Sequence, residues 1–221
     1  MPKIVAISDV HGKWNKIEIP ECDVLISAGD YSFTGERHMV RDFHKWLDDQ
    51  PAHHIISVQG NHEKDVEKNF QLYKDLALEQ CPAVHFIDEG LVEVAGLKIW
   101  CSAITPWFHN WAWNRGRGSD IQKHWDRIPQ GIDLLVTHGP PYGILDGVER
   151  FNGKICEYEI EHTGCSQLLD KILEVKPKAH IFGHIHEGYG VLSRDEISFI
   201  NASICDEHYK PVNKPVILDL K

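Results

Sequence analysis

Paired cysteines, long apolar runs and an excess of basic charge are all missing from this chain. The six cysteines, Cys22, Cys81, Cys101, Cys156, Cys165 and Cys205, stand far apart with no C-x-x-C pair. That spacing argues against a cysteine metal or redox site and predicts reduced, mostly buried thiols in a cytosol-like, cytoplasmic compartment. No apolar run approaches the ~18 residues of a membrane span, and the opening MPKIVAISD has no basic stretch leading into an apolar run, so we expect a soluble protein without a membrane partner. Lys and Arg number 23 against 33 Asp and Glu, a net charge of −10 with histidines neutral. An acidic surface makes long nucleic acid and anionic membranes poor partners, although a local cationic site can still attract phosphate. Solenoid-period repeats, low-complexity tracts and linkers are also absent, so the 221 residues are read as a single domain, 1–221.

What is present is an alternation of short β-branched runs with stretches of helical period, the pattern of an α/β layer fold. Strands are expected at 4–8, 23–28, 55–58, 91–94, 97–103, 133–137, 178–182, 196–202 and 216–220, and helices at 36–50, 65–80 and 164–175. The helix at 36–50 is ended by Pro51 and the one at 65–80 by Pro82. Regularity lapses through a tryptophan-rich segment, 106–118.

The polar residues fall in one kind of place. Five expected strands run into Asp9-Val10-His11-Gly12, Gly29-Asp30, Gly60-Asn61-His62, Thr137-His138-Gly139 and Gly183-His184-Ile185-His186. In α/β sheets the carboxyl ends of strands are where ligand sites form, so these clusters should converge on one crevice. Glycine beside each allows tight turns and close backbone approach. A lone Asp after a strand more often caps a helix, and a lone His is more often an ordinary hydrogen-bonded group. Repetition after five strands makes a metal site the better reading. Imidazole, carboxylate and amide oxygen without thiolate suit borderline divalent ions: Mn, Fe, Zn, Ni or Co. Seven candidate ligands are too many for one ion, whereas two ions sharing a carboxylate would use them all.

In this order, Asp9-x-His11, Gly29-Asp30, Gly60-Asn61-His62-Glu63, His138 and Gly183-His184-x-His186 resemble the signature blocks of the calcineurin-like metallophosphoesterases. TPWFHNWAWNRG, THGPPYGILD and FGHIHEGYG are similar to the class III cyclic-nucleotide phosphodiesterase branch, the metallophosphoesterase-domain-containing group. The resemblance implies an α/β fold of two packed mixed β-sheets flanked by helices, a four-layer αββα sandwich. It also implies two divalent metal ions, Mn first among them, one held by Asp9, His11 and His186 and the other by Asn61, His138 and His184, with Asp30 bridging. His62 would face the scissile phosphate as the catalytic histidine. The implied reaction is hydrolysis of small phosphodiesters such as cyclic nucleotides, with a hydroxide between the ions attacking phosphorus.

The same site would serve a phosphomonoesterase or a nuclease, and a non-catalytic metal-binding scaffold is the reading from another class. The protein phosphatases of the superfamily continue the second block as GDxVDRG, whereas this chain has GDYSFTGER, so Arg37 reads as a solvated helix start rather than a phosphate clamp. Within 106–118, Trp107, Trp111, Trp113 and Arg115 are candidate substrate contacts, because aromatics beside arginine can stack a nucleobase and neutralise phosphate. Equally, they can pack as a loop core. Glu63 and Glu187 adjoin ligand residues and are candidates to orient imidazoles. Pro140-Pro141-Tyr142-Gly143 reads as a rigid loop behind His138, and His162 and the His53-His54 pair belong to no pattern.

Overall fold

The computed structural model describes residues 2–152 and 157–220. In chain order the elements are β1 (Lys3–Ile7), β2 (Cys22–Ser27), α1 (Arg37–Asp48), β3 (Ala52–Val58), α2 (Lys64–Lys68), α3 (Phe70–Gln80), β4 (Val84–Ile87), β5 (Glu89–Val94), β6 (Leu97–Ser102), β7 (Thr105–Pro106), β8 (Asn114–Arg115), α4 (Ser119–Trp125), β9 (Leu134–Thr137), β10 (Gly147–Asn152), β11 (Glu157–His162), α5 (Ser166–Val175), β12 (Ala179–Phe182), β13 (Gly190–Arg194), β14 (Ile197–Asn201) and β15 (Val216–Asp219). Two large mixed sheets result. One has the order β15-β1-β2-β3-β4, parallel except where β15 meets β1, and the other has the order β13-β14-β12-β9-β6-β5, parallel through its centre.

Period-2 alternation decides which layer each strand residue joins. Ile4, Ala6, Val24, Ile26, Ile56 and Val58 belong to the core shared with the second sheet, where Ile99, Leu134, Val136 and Ile181 are also buried. Their neighbours Val5, Ile7, Leu25 and Ile55 point the other way, against Val40, Phe43 and Leu47 of α1 and Tyr73 and Ala77 of α3. Both faces of the central parallel strands are therefore covered, which is why they read as nearly unbroken apolar runs. Ile121 and Trp125 of α4 and Leu168 and Ile172 of α5 are buried in the shared core.

The expected helix at 65–80 is two helices. Asn69 (φ −136°, ψ 48°) interrupts it, ending α2 with its N–H on Val66 O and capping α3. No side chain caps α3 at this position; the helix starts from the Asn69 backbone, whose carbonyl accepts Tyr73 N–H at 3.2 Å. The sequence reading also passed over β4, α4, β13 and the β10–β11 hairpin. In that hairpin GVERFN pairs with EYEIEH, and glutamates at alternate positions of β11 hide a strand that has no buried face to mark it. Cys22, Cys81, Cys101, Cys165 and Cys205 are free and buried, while Cys156 lies outside the described residues. Among the described residues no helix is long and apolar enough to cross a membrane.

Candidate metal centre

The chain leaves β1, β2, β3, β9 and β12 at the same end of the molecule. Ser8 N–H donates to Ala202 O (2.8 Å) and stitches the end of β1 to the segment after β14, while Asp9 N–H reaches Gly29 O at 3.0 Å and Gly183 N–H reaches His138 O at 2.9 Å. Two sheets thus deliver their strand-end loops to one place, where Asp9, His11, Asp30, Asn61, His138, His184 and His186 come together.

Asp9, His11 and His186 form one cluster with ligand atoms within 4.8 Å of one another. His11 Nδ1–H donates to Ser32 O (3.3 Å) and His186 Nδ1–H to Asp206 O (2.8 Å), so each ring turns Nε2 inward. The two Nε2 atoms lie 3.3 Å apart, beside Asp9 Oδ1, which is buried and makes no hydrogen bond. Asp9 Oδ2 is already used, accepting His184 N–H (2.8 Å) and the Ser203 hydroxyl (2.9 Å). Three acceptors facing one another require a cation between them, or a proton standing in for one.

The second cluster repeats the arrangement with Asp30, His138 and His184. His138 Nδ1–H donates to Ala28 O (2.8 Å), leaving Nε2 2.8 Å from Asn61 Oδ1 and 3.3 Å from Asp30 Oδ2. Asp30 also groups with His11 and His62 within 4.8 Å, which places its carboxylate between the two clusters. The donor set therefore fits a pair of divalent ions: Asp9, His11 and His186 on one side, Asn61, His138 and His184 on the other, and Asp30 between them.

The backbone is bent to achieve this. Asp9 (φ 52°), His11 (φ 38°), Asp30 (φ 54°) and His184 (φ 70°) are all left-handed, a conformation that costs a non-glycine residue roughly 1–3 kcal/mol and gathers at functional sites. Gly60 and Gly183 are required by close approach. A Cβ on Gly60 would collide with Asp30 Oδ1, and one on Gly183 would collide with Asp9 Oδ2 and Ser8 Oγ.

Burial opposes charge on all these groups, so their protonation reflects how strongly they attract one another. Burial would raise Asp9, but the adjacent His186 outweighs it and holds the carboxyl well below the usual range. Asp30 is likewise held well below that range, its burial outweighed by His138 and His62. Burial would lower His138 and His186, yet Asp30 and Asp9 respectively push them up to about 9. At His11 and His184 burial prevails and lowers both to about 4. The two carboxylates thus draw protons onto the rings beside them, each proton standing where a cation would otherwise compensate the charge.

A family model described as calcineurin-like phosphoesterase matches residues 2–188. The chain belongs to the calcineurin-like phosphoesterases. Its similarity to Metallophosphoesterase domain-containing protein 1 of Homo sapiens is 35% identity over 240 residues, covering 99% of this chain and 71% of that protein. UPF0046 protein T07D4.2 of Caenorhabditis elegans is 32% identical, covering 99% of this chain and 60% of its own. Among solved structures, phosphopantetheinyl hydrolase from Mycobacterium tuberculosis superposes with a TM-score of 0.60 at 15% identity, covering 98% of this chain and 95% of that one, a likeness of fold. The family normally binds divalent metals and acts on phosphoesters, which agrees with the donor set described above.

In this calcineurin-like phosphoesterase His62 stands at the mouth of the clusters. Its Nδ1–H is tied to Phe33 O (2.8 Å), its backbone N–H to Asp30 Oδ1 (2.8 Å), and Nε2 lies 4.0 Å from Asp30 Oδ2. Trp111 stacks on the ring at 4.3 Å with 27° between planes. Both border a cleft of about 410 Å³ that also exposes Asp30, His184 and His186. Trp107 is exposed beside a neighbouring cavity.

The other two candidates from the tryptophan-rich segment are placed elsewhere. Trp113 is buried in the core, edge-on to Phe70 at 6.1 Å, with its backbone N–H on Glu67 Oε1, and does not line the cleft. Arg115 commits its donors to His124 Nε2 (3.1 Å) and Asn114 O (2.7 Å), and neither cavity includes it. The loop-core reading holds for Trp113, whose indole lies in the shared core just ahead of β8. Arg37 is exposed at the start of α1.

Glu63 orients no imidazole. It is fully buried and accepts Asp30 N–H (2.9 Å), Gly60 N–H (2.8 Å), Ser32 N–H (3.0 Å) and the Ser32 hydroxyl (2.8 Å), tying together the loops after β2 and β3. Burial, with the charge of Asp30, pushes it up to about 8. Backbone carbonyls take the orienting role expected of Glu63 and Glu187. Sequence reasoning also missed the segment after β14: Ser203 holds Asp9, and Tyr209 covers the first cluster, its ring 4.8 Å from that of His11. The one available signal was that β14 is another strand running into polar residues, Asn201-Ala202-Ser203.

Proposed function

We propose that this protein is a dinuclear metal-dependent phosphodiesterase that hydrolyses small phosphodiesters, cyclic nucleotides among them, with Mn²⁺ as the preferred ion. The observation that carries the reading is the pair of inward-facing acceptor clusters meeting at Asp30 beneath an open cleft. Bound ions would supply Lewis-acid polarisation of the phosphoryl oxygens and a water of lowered pKa. The chain's own residues do the rest. Asp9, Asp30 and Asn61, locked by their loops, fix the distance between the two halves of the site. His62, with Nδ1–H held by Phe33 O, keeps Nε2 aimed at the cleft; in the imidazolium form its Nε2 proton can pass to the departing alkoxide as water's oxygen bonds to phosphorus and the ester P–O bond breaks, leaving the neutral ring.

The lining of the cleft favours a diester over a monoester. Among the described residues that border it there is no Lys or Arg, and Glu187 and Glu207 stand at its rim. A dianionic phosphate would find no guanidinium fork there, whereas a monoanionic diester needs less compensation. Five buried free thiols support a reducing, cytoplasmic setting.

The test is hydrolysis of bis-p-nitrophenyl phosphate beside p-nitrophenyl phosphate after chelation and return of Mn²⁺. Metal-restored diester cleavage that Asp30→Ala abolishes, followed by turnover of 2′,3′- or 3′,5′-cyclic nucleotides, is the expected result. Cleavage of the monoester alone would make the protein a phosphomonoesterase. Full activity of His62→Ala on diesters with poor leaving groups would remove the acid role assigned to that ring.

A further inference from the structure

Next to the metal cleft lies a larger cavity of about 620 Å³, and His184 and Phe108 line both spaces. Its volume falls within the ~300–1,000 Å³ typical of small-molecule sites. Trp107, Phe108 and Tyr142 supply aromatic walls, and the cations beside them are already engaged. Arg117 donates to Gly164 O (2.8 Å) and Thr163 O (2.6 Å), and Arg150 Nε donates to Glu161 Oε2 at 3.0 Å.

One side chain at this wall has been built with care. Asp146 is buried, and its carboxylate takes three hydrogen bonds: Gly143 N–H and Gly164 N–H on Oδ2, both at 2.9 Å, and His162 Nδ1–H on Oδ1 at 2.7 Å. The Asp146 carbonyl accepts the N–H and the hydroxyl of Thr163, so the residue following His162 is pinned as well. A carboxylate on Nδ1 fixes the tautomer of the neutral ring and leaves the lone pair on Nε2. That nitrogen makes no hydrogen bond among the described residues, and the ring, 45% exposed, lies 5.7 Å from Tyr142 with 59° between planes. The wall thus offers an oriented acceptor beside aromatic faces.

We propose that this cavity receives one ester group of the phosphodiester, and that His162, positioned by Asp146, selects groups bearing a planar ring with an N–H or O–H donor at its edge. The inference rests on the phosphodiesterase reading above and adds to it the residue that chooses the substrate. His162 is a specificity-determining residue and not one of the metal ligands, and its exposure allows replacement without disturbing the core.

The experiment compares two diesters with the same leaving group on Mn²⁺-loaded protein: the p-nitrophenyl ester of thymidine 5′-monophosphate, whose base carries an edge N–H, and methyl p-nitrophenyl phosphate, which has nothing to fill the cavity. His162→Ala should raise KM for the thymidine ester about tenfold, the loss expected of one hydrogen bond of ~1.4 kcal/mol, with kcat unchanged and the methyl ester unaffected. His162→Gln, which keeps an acceptor, should recover part of the loss. Calorimetric binding of thymidine 5′-monophosphate should weaken by the same factor in His162→Ala. Equal effects on both esters, or unchanged nucleotide binding, would overturn the proposal. If the unaltered protein cleaves no diester at all, the phosphodiesterase reading fails, and the calorimetric comparison alone decides the role of His162.

Discussion

His44 allows a calculation that the structure makes specific. The ring is fully buried between α1 and β3, with Tyr31, Phe43 and Phe86 around it. Nδ1–H donates to Val40 O (2.7 Å), and Nε2 accepts the Ser57 hydroxyl (3.1 Å), so the neutral tautomer is satisfied at both nitrogens and a second proton would displace a donor. Burial accordingly lowers its pKa from 6.5 to about 4. A histidine lowered in the folded state contributes stability above its unfolded pKa and loses it as pH falls, here through the window from 6.5 to 4. Linkage between those two values gives a loss of about 2 kcal/mol on going from pH 7 to pH 5. In urea unfolding followed by tryptophan fluorescence, with a slope of ~2–3 kcal/mol/M, that is a midpoint shift of roughly 1 M. Other histidines titrate in the same range, so the quantity to measure is the difference between the unaltered protein and His44→Gln at each pH. This difference should shrink by about 2 kcal/mol in the variant's favour from pH 7 to pH 5, whatever its absolute stability. A difference that stays constant within ~0.5 kcal/mol would mean that the buried ring carries its proton or reaches water, and the reasoning would be refuted.

Three further outcomes follow from the geometry. Returning Mn²⁺ to chelated protein at about 100 times its dissociation constant should stabilise it by ~3 kcal/mol, a rise of roughly 5–10 °C in melting temperature for a chain of this size, and Asp9→Asn should abolish the rise. Trp113→Ala should cost about 3–5 kcal/mol in denaturant while depressing nucleotide and aryl diester turnover alike, because the indole packs in the core; a loss confined to nucleotides would put it in the site. Gly60→Ala should retain its circular dichroism spectrum yet lose Mn²⁺-dependent activity, since the new methyl group would meet Asp30; undiminished activity would mean that the loop has room the structure does not give it.

Much of the fold could be read from linear pattern because the central strands are buried on both faces and the long helices present one apolar stripe. The helix expected at 36–50 and the observed α1, Arg37–Asp48, differ only at their ends. β11 had no such stripe, since its residues remain exposed on both faces. The break at Asn69 lies in the non-helical backbone of one residue, which the apolar pattern running on through Phe70 and Tyr73 does not mark.

The sequence by itself determined which chemistry was on offer: seven oxygen and nitrogen donors gathered in five glycine-containing clusters at the ends of expected strands, a histidine next to Asn61 that was not needed as a ligand, and no thiolate. Strand-end position carries that information because a parallel sheet collects its carboxyl ends along one edge. Tertiary structure alone decided how the donors are aimed and what surrounds them. The imidazoles are turned inward by carbonyls of Ser32, Ala28 and Asp206, and any residue can present a carbonyl, so no side-chain pattern marks them. The tryptophan-rich segment divides between core and cleft, Trp113 packing against Phe70 and Trp111 stacking on His62, both outside regular strands. His162, with no linear motif, gains its orientation from Asp146, sixteen residues earlier in the chain and adjacent only after the hairpin folds back.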